Sequence, residues 1–222
     1  TYDDIESIVI DGGSQDNTLE VVSSYEDLIS KVVSEADKGI YDALNKGISL
    51  ATGDVIGILH SDDILASDDV ISRVVQCFDP SIDAVYGDLQ YVERTNTSKV
   101  TRNWKGKPFD RELFFYGWMP AHPTFYLRTK RYREFGVFNL DFYTSADYEL
   151  LLRMLFKHRL HGKYLPMVMT KMRVGGQSNA TLKNRWIANQ EDARAWRVNG
   201  IKARFCTRWL KPLSKITQFI NT

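Results

Sequence analysis

The sequence predicts an α/β fold with a mostly parallel central sheet flanked by helices. Three observations predict it. Between Ile5 and Val92, short apolar runs alternate with segments of helical period. The run Val55–Leu59 is apolar without alternation, the pattern of a strand covered on both faces. Acid-bearing turns at Asp11 and at Asp62-Asp63 follow two of the strands, on the side where ligands of such sheets bind.

The elements follow in order. Ile5 to Ile10 reads as a strand running into the turn Asp11-Gly12-Gly13-Ser14-Gln15-Asp16-Asn17-Thr18. A helix from Leu19 to Tyr25 comes next, with Asn17 and Glu20 spaced as an N-cap and its partner. Lys31 to Val33 is a second short strand, and Tyr41, Leu44 and Ile48 mark one face of a helix ending near Gly53. Beyond Val55–Leu59, Val70 to Phe78 is helical in pattern and Ala84 to Val92 strand-like. Thr101 to Gly117 is irregular and aromatic. A short strand, Phe125–Leu127, follows the loop Trp118-Met119-Pro120-Ala121-His122-Pro123. From Thr144 to Lys157, Tyr148, Leu151, Leu152 and Leu155 share a helix face.

At 222 residues the chain is long enough for one domain with appendages. A hydrophobic fraction of 43%, a charged fraction of 26% and a net charge of +1 give no reason to invoke nucleic acid. Cys77 and Cys206 fit no metal or redox spacing, so a reducing cytosol is the expected setting. No apolar run approaches the roughly 18 residues of a membrane span, and no secretory leader pattern is present. The charge is uneven: the last 30 residues carry +7 and the remainder −6. There Ile201, Phe205, Trp209, Leu213, Ile216 and Ile220 recur at helical spacing, interrupted by Pro212. Such a basic amphipathic tail, 181–222, fits peripheral membrane contact, packing back on the domain, or self-association.

The residues that carry chemistry begin with the adjacent acids. Asp62 and Asp63 either start a turn or hold a hard cation such as Mn2+ or Mg2+, which takes carboxylates together with substrate phosphates. Thr144 and Asp147 have the spacing of a capping box, and Glu149 with Arg153 that of a helix-surface pair. His122, between Pro120 and Pro123, reads on its own as a structural histidine. Arg173-Val174-Gly175-Gly176-Gln177-Ser178 reads as a surface loop or a phosphate-touching one. Trp104, Tyr116 and Trp118 suit either the core or a sugar-stacking face.

Taken together, the Asp11 turn, Ala36-Asp37-Lys38-Gly39-Ile40-Tyr41-Asp42, Ala51-Thr52-Gly53-Asp54, the Asp62-Asp63 pair and Ser145-Ala146-Asp147-Tyr148-Glu149 closely resemble family 2 glycosyltransferases of the GT-A fold. The likeness is strongest to bacterial enzymes of cell-surface polysaccharide assembly, of the exopolysaccharide and colanic-acid type. It implies a GT-A domain over 1–180, with a nucleotide-binding part about 1–92 and an acceptor and catalytic part about 93–180. It further implies inverting transfer from a nucleotide-diphosphate sugar, by preference a UDP-sugar, to a saccharide or lipid-linked acceptor in the cytoplasm or on the inner membrane face.

Residue by residue, the resemblance gives Asp11 to the base of the nucleotide and places Asp37 and Lys38 at the donor. It puts Asp62 near the ribose, Asp63 on a Mn2+ or Mg2+ ion, and Asp147 as the base that deprotonates the acceptor. His122 and Arg173 fall in the acceptor and phosphate region. His60 stands where the family often carries the first acid of an Asp-x-Asp motif. The family begins with a strand, a loop and a helix before the point where Thr1 stands, so an N-terminal truncation is expected, with weak donor binding if the chain is used alone. Two other readings compete: a sugar nucleotidyltransferase, and a catalytically degenerate fold serving as a binding module. A dinucleotide-dependent oxidoreductase is disfavoured because Asp11-Gly-Gly-Ser lacks the Gly-x-Gly-x-x-Gly spacing.

Overall fold

The computed structural model describes residues 2–175, 182–204 and 207, with side chains of the last segment followed from residue 186. Its strands are β1 (Ile8–Asp11), β2 (Lys31–Ser34), β3 (Val55–Ile56), β4 (Asp63–Leu65), β5 (Ala84–Val92), β6 (Val100–Trp104), β7 (Tyr126–Arg128) and β8 (Gly162–Arg173). The helices are α1 (Thr18–Ser23), α2 (Ile40–Leu50), α3 (Val70–Gln76), α4 (Thr129–Phe135), α5 (Ala146–Leu151) and α6 (Leu182–Val198).

The α/β expectation holds, while the sheet is less parallel than the alternation predicts. β3, β7, β5, β8 and β4 lie side by side in that order, with β6 paired to β5. β5 and β8 run parallel along the centre, whereas β3/β7, β5/β7, β4/β8 and β5/β6 are antiparallel. For β6 the reason is connection length. β6 returns from β5 through residues 93–99, too few for the crossover that parallel neighbours require. β1 and β2 pair in parallel with each other and, among the described residues, with no other strand.

β3 stops after Ile56, short of the predicted Leu59. Its partner β7 offers only two paired positions, and a side chain at Gly57 would run into the Tyr126 ring. Leu59 is 52% exposed, so this run is not covered on both faces.

Much of the core packs around α5 and its continuation. Tyr148, Leu151, Leu152 and Leu155 are all buried, as their periodicity predicts, together with Tyr86, Phe114 and Leu127. The helix they share changes pitch: α5 passes into wider turns over Leu152–Lys157, where the His158 N–H reaches the Arg153 carbonyl. Glu149 and Arg153 do not form a surface pair. Glu149 is 2% exposed and accepts from Arg153 Nε at 2.9 Å and Nη2 at 3.0 Å. The guanidinium also donates to the carbonyls of Phe135, Gly136 and Val137, closing the turn after α4.

Asn17 flanks α1 without a side-chain cap; Asp16 does that work, accepting from the Thr18 N–H and hydroxyl at 3.0 and 2.6 Å. Trp118 is core, edge-on to Tyr86 and Phe114. Tyr116 is exposed and receives a hydrogen bond from Arg204. At the start of the basic tail, Ile201 packs on the core and Arg204 pairs with Glu112 at 2.8 Å. Phe205, Cys206 and the tail's apolar positions beyond Thr207 lie outside the described residues. No described helix is long and apolar enough to cross a membrane.

Candidate functional site

A cavity of about 2740 Å3 opens between β1 and β3 and extends across the face of the larger sheet. Lys38, His60, Asp62, His122, Asp147 and Arg173 all line it. His60 and Asp62 share the loop between β3 and β4, Asp147 lies in the first turn of α5, and the fold brings them together with Lys38, His122 and Arg173.

The acids differ in environment. Asp62 faces the cavity and its carbonyl accepts from the Arg173 N–H at 3.3 Å, which joins the two loops. Asp63, the first residue of β4, is 7% exposed, and neither of its carboxylate oxygens has a hydrogen-bond partner. Burial, with the neighbouring Asp62 charge added, pushes its pKa up to about 7, against a weaker pull from Arg173. An orphaned, sealed carboxylate beside a second acid fits a divalent cation. Among the described residues no group of three or more His, Cys, Asp or Glu side chains assembles. The protein thus offers two carboxylates and leaves further positions to other oxygens, the donor set that a hard cation with phosphate ligands accepts.

Asp11 is placed differently from a free recognition acid. Its oxygens already accept from Gly13 N, Ser14 N and Oγ, and Ser34 Oγ, at distances of 2.5 to 3.3 Å. These bonds, led by the Ser14 and Ser34 hydroxyls, hold its pKa at about 2. Asp11 therefore builds the Gly-rich turn. Gly13 sits at φ +88° there, and a side chain at Gly12 would strike the Asp37 carboxylate. Asp37 accepts from the Gly39 N–H at 2.8 Å, while Lys38 is exposed at the cavity mouth.

Asp147 lies in the first turn of α5. It is half-buried, and the Tyr41 hydroxyl is 3.4 Å from its Oδ1 and donates to the Thr144 carbonyl at 3.0 Å. No side chain caps α5 at Ser145, and Thr144 does not form the capping box its spacing suggests. Its hydroxyl donates instead to Glu191 of α6 at 2.8 Å. His60 and His122 stand with ring centroids 5.5 Å apart, and His122 meets Phe138 edge-on. Burial lowers the His122 pKa to about 4 and lowers that of His60, the latter against the fields of Asp62 and Asp147. Both rings are therefore neutral at physiological pH.

Sequence reasoning placed Tyr41 only as an apolar helix marker and did not find Glu191. Tyr41 has a signal, since it lies inside the Asp37–Asp42 segment. Glu191 has none, because its partners are 46 to 48 residues away.

The profile of Glycosyl transferase family 2 matches residues 1–159. A PGL/p-HBAD biosynthesis glycosyltransferase of Mycobacterium bovis (strain BCG / Pasteur 1173P2) is 29% identical over 194 residues, covering 84% of this chain and 73% of that protein. An uncharacterized glycosyltransferase of Mycobacterium tuberculosis (strain CDC 1551 / Oshkosh) is 33% identical over 150 residues, covering 67% and 56%. In structure, the chain is similar to S. aureus TarS 1–349, solved in complex with UDP-GlcNAc. The TM-score is 0.63 at 15% identity, over 87% of this chain and 56% of that one. It is also similar to mannosyl-3-phosphoglycerate synthase from Rubrobacter xylanophilus, with TM-score 0.57 at 13% identity, over 90% and 66%. The chain thus spans little more than half of the TarS fragment.

Proposed function

Because the chain belongs to glycosyl transferase family 2, with its GT-A fold, we propose that it is an inverting, metal-assisted transferase. The donor is a UDP-sugar and the acceptor a saccharide or lipid-linked saccharide of a cell-surface polymer. The observation that carries this reading is that one cavity gathers Lys38, Asp62, His122, Asp147 and Arg173.

The roles follow from position. Asp147 accepts the proton of the acceptor hydroxyl as it attacks the anomeric carbon, and the C–O bond to the nucleotide diphosphate breaks on the opposite face. Tyr41, anchored on the Thr144 carbonyl, keeps that carboxylate aimed into the cavity. Lys38 and Arg173 place positive charge on the diphosphate, and Asp62 takes the ribose hydroxyls. Asp63, with Asp62, would hold a Mn2+ or Mg2+ ion, which when bound would supply Lewis-acid stabilisation of the departing diphosphate. Asp11 acts on the nucleobase indirectly, by fixing the turn over Gly12–Ser14 beside Asp37. Neutral His122 borders the acceptor side, where an imidazole without charge hydrogen-bonds a hydroxyl or phosphate oxygen.

Calorimetric titration with UDP and Mn2+ tests the donor half. Binding is expected in wild type and lost in Asp63→Ala; equal affinity with and without metal would remove Asp63 from this role. Asp147→Asn is expected to keep UDP affinity within about twofold while transfer falls by a factor of roughly 100 or more.

A further inference from the structure

The segment that delivers Asp147 is held from outside the family-matched region. Three consecutive backbone amides converge on one carboxylate of α6. Tyr143 N–H donates to Glu191 Oε1 at 2.7 Å, and Thr144 N–H and Ser145 N–H donate to Oε2 at 2.8 and 2.9 Å. The Thr144 hydroxyl adds a fourth bond at 2.8 Å. Carboxylates that accept several backbone N–H groups make short, charge-assisted bonds, stronger than neutral ones.

Around this clamp, α6 grips both ends of the same stretch. Arg194 donates to the Asp141 carbonyl at 2.9 Å and lies over the Phe142 ring at 5.0 Å. Trp196 Nε1–H donates to the Tyr148 hydroxyl at 2.9 Å, and Asn199 reaches Glu149 at 3.0 Å. Asp147 thus sits between residues tied to α6 before it and after it. α5 has no side-chain cap of its own, so residues 143–145 set the approach to its first turn.

From this we infer that Glu191 is a positioning residue for the base. It fixes the Tyr143–Ser145 backbone, and through it the direction of Asp147, without touching donor or acceptor. The inference rests on the assignment of Asp147 as base. A misplacement of about 1 Å in a reacting group costs on the order of a hundredfold in rate, so the clamp acts on turnover and not on donor affinity.

The experiment uses the full chain and the variants Glu191→Gln, Glu191→Ala and Glu191→Asp, with Asp147→Asn alongside. Amide hydrogen exchange reads the clamp, and slow hydrolysis of UDP-GlcNAc with Mn2+, water taking the acceptor's place, reads turnover. In Glu191→Gln and Glu191→Ala, the amides of 143–145 are expected to exchange roughly tenfold faster while those of β5 and β8 keep their protection. The hydrolytic kcat is expected to fall roughly tenfold or more with the UDP-GlcNAc KM within about twofold, and Glu191→Asp to recover part of it. Unchanged exchange at 143–145, unchanged kcat, or loosening spread through β5 and β8 would overturn the positioning role. Hydrolysis retained in Asp147→Asn would instead remove the base assignment. Turnover retained in the Glu191 variants but lost in Asp147→Asn removes the clamp alone.

Discussion

The rings of His60 and His122 stand 5.5 Å apart at the cavity wall, and both are kept neutral by burial. Asp63, close by, is pushed the opposite way, towards its uncharged acid form. The site in its resting state therefore carries less charge than its residue types suggest, and two of its groups make opposite demands on pH.

Those demands predict a measurable compensation in metal-free protein. His122 falls from 6.5 to about 4, so its contribution is present above pH 6.5 and lost as pH drops towards 4. Asp63 rises from 3.8 to about 7, so its contribution is present below pH 4 and lost as pH climbs through 7. Asp63→Asn removes only the second effect. Its unfolding free energy relative to wild type should grow by roughly 3 kcal/mol between pH 4 and pH 7. Urea denaturation at both pH values, with a chelator present, measures it.

Cation binding should follow the same carboxyl. A divalent ion competes with the proton on Asp63, so Mn2+ is expected to raise the melting temperature more at pH 8 than at pH 5.5. Asp63→Asn should abolish most of that difference. A thermal melt series with Mn2+ at the two pH values suffices, and an equal shift in the variant would exclude Asp63 as the ligand.

The buried pair Glu149–Arg153 holds structure and not chemistry. Glu149→Gln strips the charge from a partner that also steadies three carbonyls, at an expected cost of about 3–5 kcal/mol. UDP affinity of the fraction that remains folded should be unchanged, as calorimetry would show.

Gly87 offers a test of packing at the centre of the sheet. A side chain there would meet the Met167 carbonyl oxygen at 2.9 Å and Met169 Cγ at 2.7 Å. Gly87→Ala should destabilise by about 1–3 kcal/mol, read from its denaturation midpoint.

Much of this molecule is written locally. Ala84–Val92 is a strand from end to end as its residues predict, and the Tyr148, Leu151, Leu152, Leu155 stripe is buried as its period requires. What escaped is written at a distance. The antiparallel return of β6 depends on a short connection, which outweighs the alternation of strand and helix patterns upstream. The end of β3 depends on Tyr126, some seventy residues away in the chain. Asp11 and Asp62 stood out in the sequence because turns that follow strands advertise themselves. Glu191 did not, since a glutamate on a polar helix looks the same whether it meets water or a row of amides. The bonds that occupy Asp11 were not visible either, because sequence shows an acid in a turn and not how many donors surround it.

Among the described residues, β1 and β2 pair only with each other. This small ribbon joins the rest through α2 and through Glu6, which accepts from the Thr52 and Gly53 amides. Its strands hold no fully buried residue except Asp11, and Val32 is 45% exposed. It is therefore a section that can part from the body at lower free energy than the β5–β8 centre. Asp37 and Lys38 ride directly behind it, so a nucleotide held there would act as a latch. Substrate capture and local consolidation of the chain would then be one event, and the amides of Ile8–Asp11 would report donor occupancy before any sugar moves.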